Sequence, residues 1–122
     1  MLHPYVRLDI DYASKVFDPR MKMLLQQIQD TGSVKKACLR IAVSTGKAWE
    51  QINALEEAIG IQVVKRHQGG SHGGSTELTE KGREYLKRYT KLEDDVRKYA
   101  RERFGEIFDP GTEKSDPKAN SS

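Results

Sequence analysis

The tightest constraint in the chain is a pair of short amphipathic runs that stand almost end to end. Val34, Ala37, Cys38 and Ile41 recur at helical spacing behind Ser33, and Ala48, Ile52, Leu55 and Ile59 recur behind Ser44. Each serine can cap a helix by accepting a backbone amide of the first turn. Lys36 and Lys47 stand where a capping box needs Glu or Gln, so neither box is complete. Only a break near Ala42-Val43 separates the runs, and Gly60 ends the second. Helices joined this closely brace one another, and the first holds the N-terminal turn of the second outward.

The flanking segments narrow the fold further. Val6, Leu8 and Ile10 alternate with Arg7, Asp9 and Asp11, which predicts a half-buried strand from Tyr5 to Asp11. Lys15-Val16-Phe17 can pair back on it as a hairpin arm. Asp18-Pro19 reads as an N-cap and first helical residue, followed by an apolar face of Met21, Leu24, Leu25 and Ile28 and a stop at Gly32. After the paired helices, Ile61 to Arg66 predicts a strand. Gln68 to Ser75 is a glycine-rich polar tip, and Thr76 to Leu78 returns from it, giving a β-ribbon. From Thr79, a cap, to about Phe104 runs one charged helix that Gly82 interrupts only weakly.

The expected architecture is therefore mostly α with small β. It is a winged helix-turn-helix with an N-terminal β-hairpin arm and a long C-terminal dimerisation helix. The folded domain should cover residues 1–108, and residues 109–122, with two prolines and no large apolar side chain, should form a disordered tail. A length of 122 residues allows one modest core. The formal charge of +3 is a mild lean toward anionic partners and decides little alone. With one cysteine, Cys38, no intrachain disulfide can form. No signal peptide or membrane-spanning run is visible, so a cytoplasmic location is expected.

The function classes follow from the outward face of the third helix. With Ala48, Ile52 and Leu55 turned inward, Thr45, Gly46, Trp49, Glu50 and Asn53 turn outward and Lys47 flanks them. An α-helix fits the major groove of DNA, where base edges present a readable donor and acceptor pattern. Lys35 and Lys36 on the second helix, Lys47, and Lys65 and Arg66 at the base of the ribbon are candidate phosphate contacts. The helix starts at Ser33 and Ser44 offer backbone amides to phosphate as well. Trp49 fits core packing and DNA contact equally well.

Other chemistries find little support. Cys38 lies on an apolar face and reads as core. His67 and His72 have no partners at zinc-ligand spacing, so no metal is expected. The glycines of the tip lack the Lys-Ser or Lys-Thr of a phosphate-binding loop and lead into a strand. No nucleophile stands with a histidine, and the carboxylates fall on what read as solvent-facing charge runs. An enzyme is not expected, nor is any cofactor.

The long helix carries its own signal. Leu78, Tyr85, Tyr89, Leu92, Val96 and Tyr99 are spaced seven, four, three, four and three apart, a heptad seam. A helix of about 25 residues extends roughly 37 Å, further than so small a core can cover. Tyr85, Tyr89, Leu92, Val96 and Tyr99 are therefore the expected homodimer interface. The competing arrangement folds this helix back on its own hairpin arm.

The ordered set Gly32-Ser33, Lys36-Ala37-Cys38, Ile41, Val43-Ser44, Ala48, Ile52, Leu55-Glu56, Gly60, Val63, Arg66, Leu78-Thr79 and Gly82 resembles the LysR-type helix-turn-helix. Asp18-Pro19-Arg20, Ala48-Trp49 and the glycine-rich wing are similar to the DNA-binding domain of ModE-type, molybdate-responsive regulators. The resemblance covers about residues 16–104. It implies a homodimeric transcriptional regulator on a two-fold symmetric double-stranded operator, with Thr45, Gly46, Trp49 and Glu50 nearest the bases. Two positions depart from the pattern, Gly46 where proline is frequent and Glu50 where a basic residue is frequent. A glutamate there either accepts from cytosine N4 or points aside. ModE-type sensors carry a molybdate-binding domain after the long helix, so no molybdate or other small-molecule effector is expected within these residues. The alternative is a winged-helix interaction module that pairs with a separate effector subunit and does not bind DNA.

Overall fold

Side-chain caps set where the helices begin. In the computed structural model, which describes residues 1–67 and 74–108, Asp18 accepts from the Met21 amide at 2.8 Å and starts α1 (Pro19–Thr31). Ser33 accepts from Lys36 and starts α2 (Val34–Ile41), and Ser44 accepts from Lys47 and starts α3 (Thr45–Ile59). Thr79 accepts from the Gly82 amide at 2.9 Å and starts α4 (Glu80–Phe108). Each satisfies an amide that has no partner inside its helix. The expected tail over residues 109–122 and the tip over residues 68–73 lie outside the described residues.

Four short strands complete the element order: β1 (Ile10–Tyr12), β2 (Ser14–Phe17), β3 (Val64–His67) and β4 (Ser75–Leu78). They form two separate antiparallel pairs, β1 with β2 ahead of α1 and β3 with β4 between α3 and α4. Both hairpins match the sequence reading in kind and are shorter than it predicted. The first cannot extend to Tyr5, because Ile10 already pairs with Phe17 and Asp18 then leaves to cap α1. The second does not begin at Ile61, because the backbone of Gln62 and Val63 bonds to side chains and to the start of α4.

Residues 7–90 form one compact unit. Its core joins Phe17 of β2, Leu24, Leu25 and Ile28 of α1, and Ile52 and Leu55 of α3, all at most 1% exposed. Tyr89, expected on the dimer seam, belongs to this core and is 1% exposed. Its ring lies 4.5 Å from Phe17, and its hydroxyl donates to the Leu8 carbonyl at 2.7 Å. Tyr85 is half-buried with its ring 5.4 Å from Phe17. The start of the seam is thus filled from within the chain, by the hairpin arm.

The second unit comprises residues 1–6 and the rest of α4 from Lys91. Ion pairs one turn apart, Lys91–Asp95 and Arg97–Glu93, lace this part of the helix, and the Phe104 and Phe108 rings stack 4.5 Å apart. Glu93 departs from the expectation of solvent-facing carboxylates: its side chain is 2% exposed and forms an ion pair with Arg97 at 3.2 Å. Leu92, Tyr99, Ile107 and Phe108 are exposed, and Val96 is half-buried. Among the described residues no helix is long and apolar enough to cross a membrane.

Gly82 has a specific packing role. A Cβ placed there would stand 2.2 Å from the Val63 carbonyl oxygen, which belongs to backbone that cannot swing away. Replacing glycine by alanine inside a helix ordinarily gains about 1 kcal/mol. Overpacking costs about 1–3 kcal/mol, and a backbone collision this close lies at the upper end. Gly82→Ala should therefore lower unfolding stability by about 2 kcal/mol in denaturant titration. Gly105→Ala, with open space at its Cβ, should leave stability unchanged or raise it.

Candidate nucleic-acid interface

The turn between α2 and α3 is Ala42-Val43-Ser44. Ala42 takes the left-handed conformation (φ 59°) and closes α2 by donating to the Cys38 carbonyl. Cys38 is 2% exposed, and its thiol donates weakly to the Ser44 carbonyl at 3.8 Å. Burial pushes the thiol pKa up, so it stays protonated and serves as core filling across the turn.

From this turn α3 leaves with its first residues outward. Thr45, Gly46, Lys47, Glu50 and Asn53 are exposed, while Ala48, Ile52 and Leu55 are fully buried. At about 100° per residue the outward midline passes through Gly46, Glu50 and Glu57. Two carboxylates seven residues apart make the later turns of that line acidic, so only the first turn suits a polyanion. Glu50 borders a groove shared with Asp18 and Met21, whereas Thr45 and Trp49 border a different one. The glutamate thus lies away from the side of α3 that meets the ribbon.

On that other side the ribbon sorts its residues by period two. Val64, Thr76 and Leu78 are buried, and Arg66 pairs with Thr76 on the same face. The Arg66 guanidinium carbon sits 3.6 Å from the centroid of the Trp49 ring. Such a cation over an indole face contributes about 0.5–1 kcal/mol at an exposed site. Lys65 and His67 occupy the opposite face with Glu77, whose carboxylate lies 2.6 Å from His67 Nε2. That hydrogen bond, and then the charge of His67, hold the Glu77 carboxyl below the usual carboxylate range. Neighbours in sequence, Lys65 and Arg66 therefore serve different surfaces.

Trp49 is half-buried, packed on the core and covered by Arg66. Together with Ser33, Lys35, Thr45, Arg66 and Thr76 it lines a cleft of about 380 Å³ between the start of α2, α3 and the ribbon. Lys35, Lys36, Lys47 and Lys65 are exposed and form no ion pair among the described residues. Hydroxyls of Ser33 and Ser44 are committed to capping. Among the described residues no group of three or more His, Cys, Asp or Glu could hold a metal ion.

Glu56 went unnoticed in the sequence as a structural link. Its carboxylate accepts from the Val63 amide at 2.8 Å and the Val64 amide at 3.2 Å, tying α3 to the entry into β3. No short-range pattern marks it, because the partners lie beyond the Gly60 turn. Thr79 adds a second link by donating to the Gln62 carbonyl at 2.6 Å.

Comparison with known proteins agrees with this layout. The profile of the bacterial regulatory helix-turn-helix proteins of the lysR family matches residues 21–83. The chain is 34% identical over 76 residues to the transcriptional regulator ModE of Haemophilus influenzae, covering 62% of this chain and 30% of that protein. It is 34% identical over 86 residues to the molybdenum transport protein ModE of Azotobacter vinelandii (70% and 32% covered). With the DNA-binding transcriptional dual regulator ModE of Escherichia coli K12 it shares 31% over 88 residues (71% and 34%). The chain thus spans about a third of the length of these curated relatives. Among solved structures, full-length LysG from Corynebacterium glutamicum with bound effector Arg superposes with a TM-score of 0.52 at 23% identity. That likeness covers 75% of this chain and 30% of LysG, and concerns the fold.

If the Glu56 carboxylate holds the ribbon to α3, Glu56→Ala should cost about 2–3 kcal/mol, as loss of charge-assisted hydrogen bonds does. Hydrogen exchange at the Val63 and Val64 amides should accelerate with it. Unchanged protection at both amides would show that the ribbon is held by other contacts.

Proposed function

The chain belongs to the lysR family of bacterial regulatory helix-turn-helix proteins, and on that premise we propose that it binds double-stranded DNA sequence-specifically as a homodimer. The first turn of α3 enters the major groove, where Thr45 and Gly46 meet base edges and Lys47 flanks them with its charge toward phosphate, while Glu50 stands at the border and Asn53 lies about two turns further along the helix. Lys35 and Lys36 from α2 and Lys65 and Arg66 from β3 contact phosphates on either side, and the glycine-rich wing follows the backbone or minor groove. The observation that carries this reading is a single exposed helix turn flanked on two neighbouring elements by exposed cations. Capping by Ser33 and Ser44 orients two helix starts whose remaining amides favour phosphate.

Dimerisation is assigned to α4 beyond the core. With Tyr89 inside its own chain, the seam available to a second copy is Leu92, Val96 and Tyr99, with Tyr85 at its margin. A two-fold dimer places two reading turns on half-sites about one helical turn apart. No small-molecule effector is assigned to these residues.

Selection of random duplex DNA by the purified protein, at a stated salt near physiological, should enrich a palindromic site. Affinity for that site should fall steeply with salt, because each neutralised phosphate contributes about 0.9 to the slope of log affinity against log salt. No enrichment by a folded dimer would replace this reading with an interaction module that pairs with an effector subunit. For the interface, Leu92→Glu should yield monomers in light scattering, and an undiminished dimer would move the contact elsewhere.

A further inference from the structure

The sole tryptophan of the chain and an arginine seventeen residues downstream meet, with the Arg66 guanidinium carbon 3.6 Å from the centroid of the Trp49 ring. Taking DNA binding as its premise, we infer that Trp49 is a positioning residue for Arg66, and that Arg66, held on the indole, contacts one phosphate of the DNA backbone at the cleft between α2, α3 and the ribbon. Trp49 itself then makes no base contact.

Three observations support this division of labour. Trp49 is half-buried and packed on the core, so its ring is a fixed platform. Arg66 is exposed yet has a defined place, because its guanidinium carbon lies 3.6 Å from the ring centroid, too close for the group to stand edge-on without a nitrogen colliding with the ring. A guanidinium stacked by its face keeps its N–H groups in the plane of the group, free to donate sideways to a phosphate. No carboxylate forms an ion pair with Arg66 among the described residues, so those donors are not already taken.

The cleft beside the stack favours this kind of ligand. Lys35 lines it from the first turn of α2 and supplies a second positive charge, while Ser33, Thr45 and Thr76 add polar lining. Its volume of about 380 Å³ is ample for a phosphodiester group and its hydration. Glu50 and Glu57, the carboxylates on the outward face of α3, do not line it. A free side chain of arginine's length loses rotamer freedom when it grips a phosphate. Stacking removes much of that freedom beforehand, so the contact forms with less entropic loss.

Two probes are used for the test: a labelled duplex obtained by selection, and a labelled duplex of random sequence. Arg66→Ala and Trp49→Leu should each weaken binding to both probes on the order of tenfold, the loss of a charge-assisted contact. Each should also lower the salt slope by about one, although Trp49 carries no charge. The double variant should bind no worse than Arg66→Ala alone, since both changes remove the same contact. Trp49→Phe, which keeps an aromatic face, should recover most of what Trp49→Leu loses.

Without DNA, Arg66→Ala should change the tryptophan emission, which reports this one ring. Losses that multiply in the double variant to roughly a hundredfold, or an unaltered salt slope in Trp49→Leu, overturn the inference while leaving DNA binding intact. So does unchanged emission in Arg66→Ala, which would show that the stack is not formed in solution. Absence of salt-dependent binding to either duplex by the unaltered protein overturns the DNA-binding reading, and this inference with it.

Discussion

The surface that meets a ligand depends on how the peptide segment Gln62-Val63-Val64 is held. Glu56 of α3 accepts both valine amides, the Val63 carbonyl accepts from the Thr79 amide, and the Gln62 carbonyl accepts from the Thr79 hydroxyl. Gly82 lets α4 approach the same carbonyl closely. Val63 itself is fully buried, so its polar backbone groups have no water to turn to. The two bonds of Val63 are therefore costly to lose, and together with the others they fix the ribbon against α3. The Thr76 amide, bonded to the Gly32 carbonyl at the end of α1, restrains the ribbon from its return strand. Arg66 can lie over Trp49 only because β3 leaves this junction in a defined direction.

What the sequence made legible, and what it hid, divides along range. Helix starts at Asp18, Ser33, Ser44 and Thr79 were readable because each cap bonds an amide three residues away, and the stops at Gly32 and Gly60 are local too. Alternation of apolar residues suggested strands longer than those formed. Such alternation reports burial of one face, whereas a strand also needs a partner, and Leu8 has burial without pairing. Of the site, the exposed turn of α3 was legible from periodicity. The division of Lys65 and Arg66 between opposite ribbon faces follows from period two alone, whereas which of those faces meets Trp49 depends on how the ribbon packs. Glu56 and the Trp49–Arg66 stack were invisible, since both join elements across the Gly60 turn and depend on its geometry.

The long helix shows the same limit in another form. A heptad pattern says that a stripe of residues is covered, and leaves open what covers it. At Tyr89 the cover is the chain's own hairpin arm, through the Phe17 ring and the Leu8 carbonyl. Glu93 is a sharper lesson, because a glutamate within the run Glu93-Asp94-Asp95 has every mark of a solvated residue and is nonetheless buried and ion-paired. A carboxylate buried to this degree is costly to disturb, so this part of α4 tolerates change at Glu93 less than its composition suggests.

The electrostatic arrangement explains why a second copy matters to the proposed function. A net charge of +3 is modest, and the line through Glu50 and Glu57 repels phosphate along most of the outward face of α3. Attraction is confined to the first turn and the cations beside it, so one protomer makes few phosphate contacts and reads few base pairs. Each mismatched base pair costs about 1–3 kcal/mol, and a handful of positions cannot distinguish one site from the many competing sites of a genome. Joining two such modules makes the second encounter intramolecular and multiplies the discrimination of the two half-sites. Spacing between half-sites then becomes part of what is recognised. A reading surface this small thus gains most of its selectivity from whatever fixes the distance between its two copies, which on the proposed reading is the exposed seam of α4.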